Sequence, residues 1–227
     1  MTGRSIIVTG GFGALGRVVA AAFAAQGDKV ARVDFAPKPA DAQPATLDLA
    51  GVDLTDAAAA AAVVARVSEA FGGVDVLVNV AGGFTWKTLA DGGVENWQRM
   101  YAMNAITTVT MTTAALAALR SQAGARIINT GAGAAVQAAA GMGGYAASKA
   151  AVHRLTESLA VELAKDDITV NAVLPAIIDT PTNRADMPGS DFSKWVQPQA
   201  IAEVILFLAS PAARAISGAL IPVTRGG

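Results

Sequence analysis

Apolar and polar positions along the chain follow two recurring patterns, short runs rich in β-branched residues and longer runs with helical spacing. The short runs predict strands at 4–9, 29–34, within 46–53, and at 74–80, 125–130, 168–174 and 220–224. The longer runs predict helices at 15–26, 56–71, 94–120, 144–165 and 199–209, the second of them capped by Thr55. This alternation is typical of a doubly wound (Rossmann) α/β fold, a parallel sheet of about seven strands with helices on both faces. We predict one domain over residues 1–227.

Two stretches lie outside these elements. Pro37, Pro39 and Pro44 mark a loop after the second strand. Residues 176–197, of mixed polarity and interrupted by prolines, form the longest irregular stretch and predict a lid over a site.

Composition and charge narrow the function classes. The net charge is −1, which gives no electrostatic footprint for nucleic acid or an anionic membrane surface. The chain has no cysteine and a single histidine, His153, which argues against disulfides, thiolate catalysis and a metal site. The N-terminus does not resemble a secretory leader and the alanine run at 57–65 is too short to span a membrane, so we expect a cytoplasmic protein.

A glycine-rich turn, TGGFGALG at 9–16, lies between the first predicted strand and the first helix. Glycines at such a turn let backbone N–H groups approach a pyrophosphate, whose charge the helix N-terminus stabilises. A plain tight turn is the alternative. Asp34 ends the second strand at the spacing where a carboxylate binds the adenosine ribose hydroxyls and repels a 2′-phosphate, so NAD(H) is favoured and NADP(H) remains an alternative.

Tyr145 and Lys149 lie four residues apart on a predicted helix and therefore share one face. A phenol of pKa about 10 is a poor acid at neutral pH, and an adjacent ammonium is expected to lower that pKa. The pair predicts acid–base chemistry, although an exposed helical Tyr–Lys pair is common by chance. His153 continues the same row and is expected to be packed or solvated rather than catalytic.

These features occur together with NVAG at 79–82, Met103-Asn104-Ala105, YAASK at 145–149 and LPAIIDT at 174–180. In this order and spacing the chain resembles the short-chain dehydrogenase/reductase family over nearly its whole length. The resemblance implies that Tyr145 transfers the proton, that Lys149 assists it and holds the nicotinamide ribose, and that Asn104 positions a water. It also implies a cofactor site on a larger set of residues: Gly10, Phe12, Gly13, Leu15, Gly16, Asp34, Asp53, Leu54, Asn79, Ala81, Gly82, Thr130, Lys149, Pro175, Ile178 and Thr180.

The chain departs from the family pattern at three positions. Ala14 replaces the middle glycine of the turn, and Ala176 replaces a glycine after the sixth strand. The largest departure is at Ala132, where the family has the serine that polarises a substrate carbonyl. Loss of such a donor costs about 10²–10³ in rate for a ketone, whereas a conjugated acceptor depends on it less. Thr130 carries the nearest hydroxyl and is a candidate replacement.

Quinonoid dihydropteridine reductases resemble this chain in the glycine turn, the VAGG segment, the alanine at the serine position and the lid run 179–195. We therefore expect hydride transfer to a small, planar, conjugated acceptor. The alternatives are a carbonyl or 3-oxoacyl reductase or alcohol dehydrogenase of the same family, and a dinucleotide-binding sensor without catalysis.

Aromatic and apolar residues near the strand ends are candidates to line the substrate pocket: Phe84, Trp86, Met142 and Trp195, together with Ala132. Trp97, within a helix, is expected in the core. The apolar faces of helices 94–120 and 144–165 exceed the needs of a monomer, so we predict a homodimer or homotetramer.

Overall fold

The strands of the computed structural model, which describes residues 3–40 and 46–225, form a single sheet in the order β3-β2-β1-β4-β5-β6-β7. All neighbours in it are parallel, which confirms the predicted doubly wound α/β fold. The strands are β1 (Ser5–Thr9), β2 (Lys29–Val33), β3 (Thr46–Leu49), β4 (Val76–Asn79), β5 (Ala125–Thr130), β6 (Ile168–Pro175) and β7 (Leu220–Val223). The predicted loop proline Pro44 lies outside the described residues.

Helices cover both faces of the sheet. They are α1 (Ala14–Ala25), α2 (Ala57–Phe71), α3 (Leu89–Tyr101), α4 (Thr107–Arg120), α5 (Gly143–Glu162), α6 (Pro181–Asp186) and α7 (Pro198–Leu208). Apolar side chains of α1 and α7 pack on one face, and those of α2, α4 and α5 pack on the other. Because the central strands β1, β4 and β6 are covered on both sides, all their residues are buried, as their continuous apolar runs predicted. The residues of the edge strand β7 are partly exposed.

The predicted helix 94–120 is wrong at its start and in its continuity. It begins at Leu89, where the Thr88 hydroxyl accepts from the N–H of Asp91, and Gly93 has a non-helical backbone of φ 51°. Between α3 and α4 a π-helical turn, Ala102–Ile106, inserts one extra residue per turn and carries Asn104. The cap of α2 is also corrected, since Asp56 and not Thr55 accepts from the N–H of Ala58.

The helical run Leu89–Arg120 has the length and hydropathy of a membrane span, by those two criteria alone. Within the fold, Met100, Asn104 and Met111 of this run are fully buried in the protein. In this run, α4 packs against the sheet and α3 packs against α5.

The predicted lid, 176–197, has more regular structure than its sequence indicated. It contains α6 and a 3₁₀ turn, Phe192–Lys194, and its two ends are joined by backbone hydrogen bonds between Asp179 and Val196 and between Val196 and Ile177. The Asp179 carboxylate accepts from Arg184 and from Gln197, and these bonds lower its pKa to about 2. The two ends of the predicted lid are therefore held together by hydrogen bonds.

Candidate active site

The glycine turn after β1 forms a cradle of backbone. Gly10 has φ 63°, and a Cβ there would lie 2.9 Å from the backbone of Ala81. A Cβ on Gly16 would lie 2.1 Å from the Gly10 carbonyl oxygen. Gly13 caps α1 without a side chain, which leaves N–H groups of the first turn for an external acceptor. This cradle fits a dinucleotide pyrophosphate, and Leu15 beneath it is buried in the core.

Asp34 follows β2 beside this cradle. One carboxylate oxygen accepts from the N–H of Phe12 at 3.0 Å and the other from the N–H of Ala36 at 3.0 Å. These bonds fix the carboxylate at the strand end, where each oxygen retains a lone pair for a ribose hydroxyl. Phe35 next to it is 73 % exposed, and sequence analysis missed this flat surface beside the predicted adenosine site.

Asp53 and Leu54 lie in the turn before α2. Asp53 accepts from the N–H and hydroxyl of Thr55, and these bonds lower its pKa. The Leu54 side chain packs in the core, so only its backbone is placed for contact with an adenine.

The end of β4 is fastened to β1. The Thr9 hydroxyl accepts from the N–H groups of Val80 and Ala81, both at 3.0 Å. The Asn79 side chain, predicted near the cofactor, instead points into the core, where it donates to Thr112 and Asn129. Gly82 lies against both Asn104 and Lys149. A Cβ at this position would lie 2.5 Å from Asn104 Oδ1 and 3.4 Å from Lys149 Nζ, so a side chain would not fit without a shift of Asn104.

Asn104 lies on the π turn and is fully buried. Its Oδ1 accepts from the N–H of Gly83, and its Nδ2 donates to the Gly83 carbonyl oxygen and to Ser148 Oγ. The side chain therefore ties the loop after β4 to α5.

Tyr145 lies in the first turn of α5, and the ring of Phe84 meets its ring edge-on at 5.0 Å. Burial raises the pKa of Tyr145 to about 12. The expectation that Lys149 lowers this pKa is not met in the structure, because desolvation favours the neutral phenol and is the dominant effect.

Lys149 lies one helical turn further along and is buried. Its Nζ donates to the Thr130 carbonyl oxygen at 2.8 Å, and burial lowers its pKa to about 8. The ammonium therefore bridges α5 to the end of β5. A lysine of this pKa changes its protonation state close to neutral pH, as a proton relay requires.

Thr130 does not point towards this pair. Its neighbours on β5 face α5, since Asn129 donates to Thr156 and a Cβ on Gly131 would lie 2.4 Å from His153 Nε2. Side chains alternate along a strand, so the Thr130 hydroxyl faces the opposite side of the sheet. This hydroxyl is buried without a hydrogen-bond partner in the described part of the chain, which fits a polar group of a bound dinucleotide.

Ala132 is buried at the end of β5, and its N–H donates to His153 Nε2 at 3.3 Å. His153 is 3 % exposed, in agreement with the prediction that it is packed. Burial lowers its pKa, so the imidazole is neutral and able to accept. Neither the side chain nor the backbone N–H of residue 132 is therefore available to polarise a carbonyl.

The predicted pocket residues differ in exposure. Phe84 and Trp86 are 50 % and 59 % exposed, and the Trp86 ring lies so close to Gly141 that a Cβ there would be 2.3 Å away. Met142 is half-buried just before α5. Trp195, in contrast, is 4 % exposed and packs against Phe192 inside the lid. Trp97, expected in the core, is 41 % exposed beside Gly143.

The last predicted cofactor residues lie at the end of β6 and in the predicted lid. Pro175 ends β6 and Ile178 forms a bridge with Val196. The Thr180 hydroxyl accepts from the N–H of Asn183 at the start of α6 and retains its own proton to donate.

The parallel sheet, the glycine cradle and the Tyr145–Lys149 pair on α5 are the features of a dinucleotide-dependent oxidoreductase. Residues 4–190 match the family model described as short chain dehydrogenase, so the chain belongs to that family and is an NAD(P)-dependent dehydrogenase/reductase. The match is to the family as a whole and does not single out its dihydropteridine reductases.

Three relatives illustrate the similarity. The chain is 31 % identical to 3-oxoacyl-acyl-carrier-protein reductase FabG of Vibrio cholerae, over 100 % of this chain and 98 % of that protein. Its structure resembles ligand-free aldohexose dehydrogenase of Thermoplasma acidophilum with a TM-score of 0.89 and 28 % identity, over 99 % of this chain and 93 % of the other. A short-chain dehydrogenase from Burkholderia cenocepacia in complex with NADP gives a TM-score of 0.84 and 30 % identity, over 99 % and 98 % of the two chains.

Proposed function

We propose that this protein is an NADH-preferring reductase of small, planar, conjugated acceptors of the dihydropteridine type. A bound dinucleotide would supply the hydride, and the protein would supply its placement and the proton. The glycine cradle, Asp34 and the strand ends of β4 and β5 would hold the dinucleotide.

The observation that carries the proposal is that residue 132 offers no free hydrogen-bond donor to a substrate oxygen. Ala132 has no hydroxyl, its N–H donates to His153, and the Thr130 hydroxyl lies on the other face of β5. A ketone that takes up hydride concentrates negative charge on one oxygen, and this site offers that oxygen one donor instead of two. A conjugated acceptor spreads the same charge over several atoms, so it requires less local stabilisation.

Tyr145 is the proton donor in this proposal. Its phenol is neutral over the whole range around pH 7, so the proton to be transferred is present. Lys149 is buried beside it on the same helical face and can replace that proton through a group of pKa about 8.

The exposed rings of Phe84 and Trp86 support a flat substrate. Both lie on the loop after β4, and the Phe84 ring is in edge contact with Tyr145. Half-exposed aromatic rings beside a proton donor are suited to stack on a planar heterocycle. The resemblance of the lid run 179–195 to that of dihydropteridine reductases points the same way.

The preference for NADH follows from the Asp34 carboxylate, which is held by two backbone N–H groups beside the ribose site. A 2′-phosphate would meet this fixed negative charge. Tighter binding of NADPH than of NADH in fluorescence titrations would contradict this part of the proposal.

Carbonyl or 3-oxoacyl reduction is the second candidate. The similarity to the 3-oxoacyl reductase of Vibrio cholerae over the whole chain favours it. It requires a site in which Tyr145 alone polarises the substrate oxygen.

We also propose that two or four copies assemble through α3, α4 and α5. Their surfaces expose apolar side chains at Val94, Trp97, Tyr101, Val109 and Val161. A solution mass equal to the single chain of 22.8 kDa would contradict this assembly.

The variant Ala132→Ser tests the observation that carries the proposal. It restores a hydroxyl at the end of β5, and we expect its kcat/KM for a simple ketone to rise by about 10- to 100-fold. Ala147→Ser adds the same group at an exposed position of α5 and serves as the control. An unchanged ketone rate in Ala132→Ser, with NADH binding intact, would show that the missing donor does not limit carbonyl reduction.

A further inference from the structure

Ser148 directly precedes Lys149 on α5 and has no catalytic role in the proposed function. It is fully buried, and its hydroxyl donates to the Tyr145 carbonyl oxygen at 2.7 Å. The Ser148 Oγ atom in turn accepts from Asn104 Nδ2 at 3.0 Å. Ser148 therefore joins the first turn of α5 to the π turn that carries Asn104.

From Asn104 the contacts continue to the loop after β4. The Asn104 amide pairs with the backbone of Gly83 in both directions, through Nδ2 to the carbonyl oxygen at 3.1 Å and through Oδ1 from the N–H at 3.0 Å. The residue after Gly83 is Phe84, whose ring lies edge-on against the Tyr145 ring. The path from the Tyr145 backbone thus returns to the Tyr145 side chain as a closed ring of contacts.

We propose that Ser148 is a positioning residue for the Tyr145 phenol: by holding Asn104, it keeps the loop after β4, and hence the Phe84 ring, against Tyr145. The proposal rests on the proposed role of Tyr145 as proton donor. Ser148 is fully buried, and it acts on Tyr145 through Asn104 and Gly83.

Loss of the Ser148 hydroxyl would break this ring at one point. An N–H of the Asn104 amide would be left without its partner in a fully buried place, which favours a shift of that side chain. The pairing with Gly83 would loosen and the Phe84 ring would move away from Tyr145. Water would then reach the phenol, which is now shielded by burial.

The chain allows a direct measurement, because it has only two tyrosines, Tyr101 and Tyr145. In a Tyr101→Phe background, tyrosinate absorbance reports Tyr145 alone, and a rapid pH jump records it before alkaline unfolding. We expect Ser148→Ala to shift the ionisation midpoint of Tyr145 from about 12 towards the ordinary value of about 10. With an active acceptor, kcat should fall by about 10-fold while the KM for NADH is unchanged, as expected for a misplaced proton donor.

Thr156 provides a matched control on the same helix. Its hydroxyl accepts from Asn129 Nδ2 and donates to the Val152 carbonyl oxygen, the same chemistry as Ser148 but away from Tyr145. Thr156→Val should lower thermal stability without moving the Tyr145 midpoint. If Ser148→Ala does not fold, Ser148→Cys replaces the hydroxyl with a weaker donor of similar size.

The proposal is overturned if the ionisation midpoint of Tyr145 is the same in Ser148→Ala as in Thr156→Val. The same comparison applies to Ser148→Cys if that variant is used instead. The titration uses neither substrate nor dinucleotide. A protein that reduces none of the acceptors would refute the proposed function, while the midpoint would still decide the role of Ser148.

Discussion

The two halves of the candidate site are built in different ways. At the ends of β1 and β2, backbone groups form the proposed dinucleotide cradle, in which Gly10 and Gly16 have no room for a side chain. At the end of β5 and the start of α5, the site consists of side chains, of which Lys149 and His153 are buried and Tyr145 is half-buried. The shape of the first half depends on the room left by the missing side chains. The protonation states in the second half depend on desolvation and hydrogen bonding.

This difference separates the expected consequences of mutation. A substitution in the cradle should weaken dinucleotide binding and leave the phenol unchanged. A substitution near Tyr145 should impair proton transfer and leave dinucleotide binding largely unchanged. Variants that break one half alone therefore test whether the halves are independent.

Tyr145→Phe should have the largest effect. It removes the proton donor and retains the ring against Phe84, so kcat should fall by about 10²–10⁴-fold. Dissociation constants for NADH, measured by fluorescence, should stay close to those of the parent. The control is Tyr101→Phe, which changes the other tyrosine, a half-exposed residue. Near-full turnover by Tyr145→Phe would show that another group transfers the proton.

Gly16→Ala should have a smaller effect, confined to the cradle. Its Cβ would lie 2.1 Å from the Gly10 carbonyl oxygen, so the turn must shift. If overpacking of about 1–3 kcal/mol falls on the binding-competent turn, NADH binding should weaken by about 5- to 150-fold. Gly189→Ala is the control, because a Cβ there meets nothing within 4 Å. Parent-like NADH binding by Gly16→Ala would mean that the turn is not the pyrophosphate site.

The cradle was the part of the site most fully predicted from sequence. The turn 9–16 lies between β1 and α1, and Asp34 lies at the end of β2, as the alternating pattern indicated. Backbone sites of this kind depend on residue type and local order along the chain, which a single sequence displays.

The substrate half could be predicted only in part. The sequence placed Tyr145 and Lys149 on one helix, but it did not show that Lys149 donates to Thr130, or that His153 accepts the Ala132 N–H. These contacts join residues from different elements, and their energetics depend on burial. The exposure of Trp97 and the burial of Trp195 were missed for the same reason.

The smallest expected effect concerns pH. Burial lowers the pKa of His153, with Arg154 and Lys149 acting in the same direction and Glu157 against it. The unfolded chain, with an imidazole pKa of about 6.5, therefore binds a proton at higher pH than the native protein. The contribution of His153 to stability should be complete above pH about 6.5 and should decline as the pH falls towards the native value.

Because His153 is the only histidine, NMR can follow its titration without assignment of other imidazoles. We expect a native midpoint below about 6.5 and a smaller loss of stability at acid pH in His153→Gln than in the parent. A midpoint above that of a free imidazole would contradict the buried, accepting role of this side chain.

The central claim is that the site retains the proton donor and lacks the carbonyl polariser. The most direct test is the ratio of kcat/KM for a quinonoid dihydropterin to kcat/KM for an acetoacetyl thioester, measured with NADH on the unmodified protein. The account predicts a ratio of at least about 10², the rate cost of one missing oxyanion donor. A ratio below one, with the thioester as the better substrate, would contradict it.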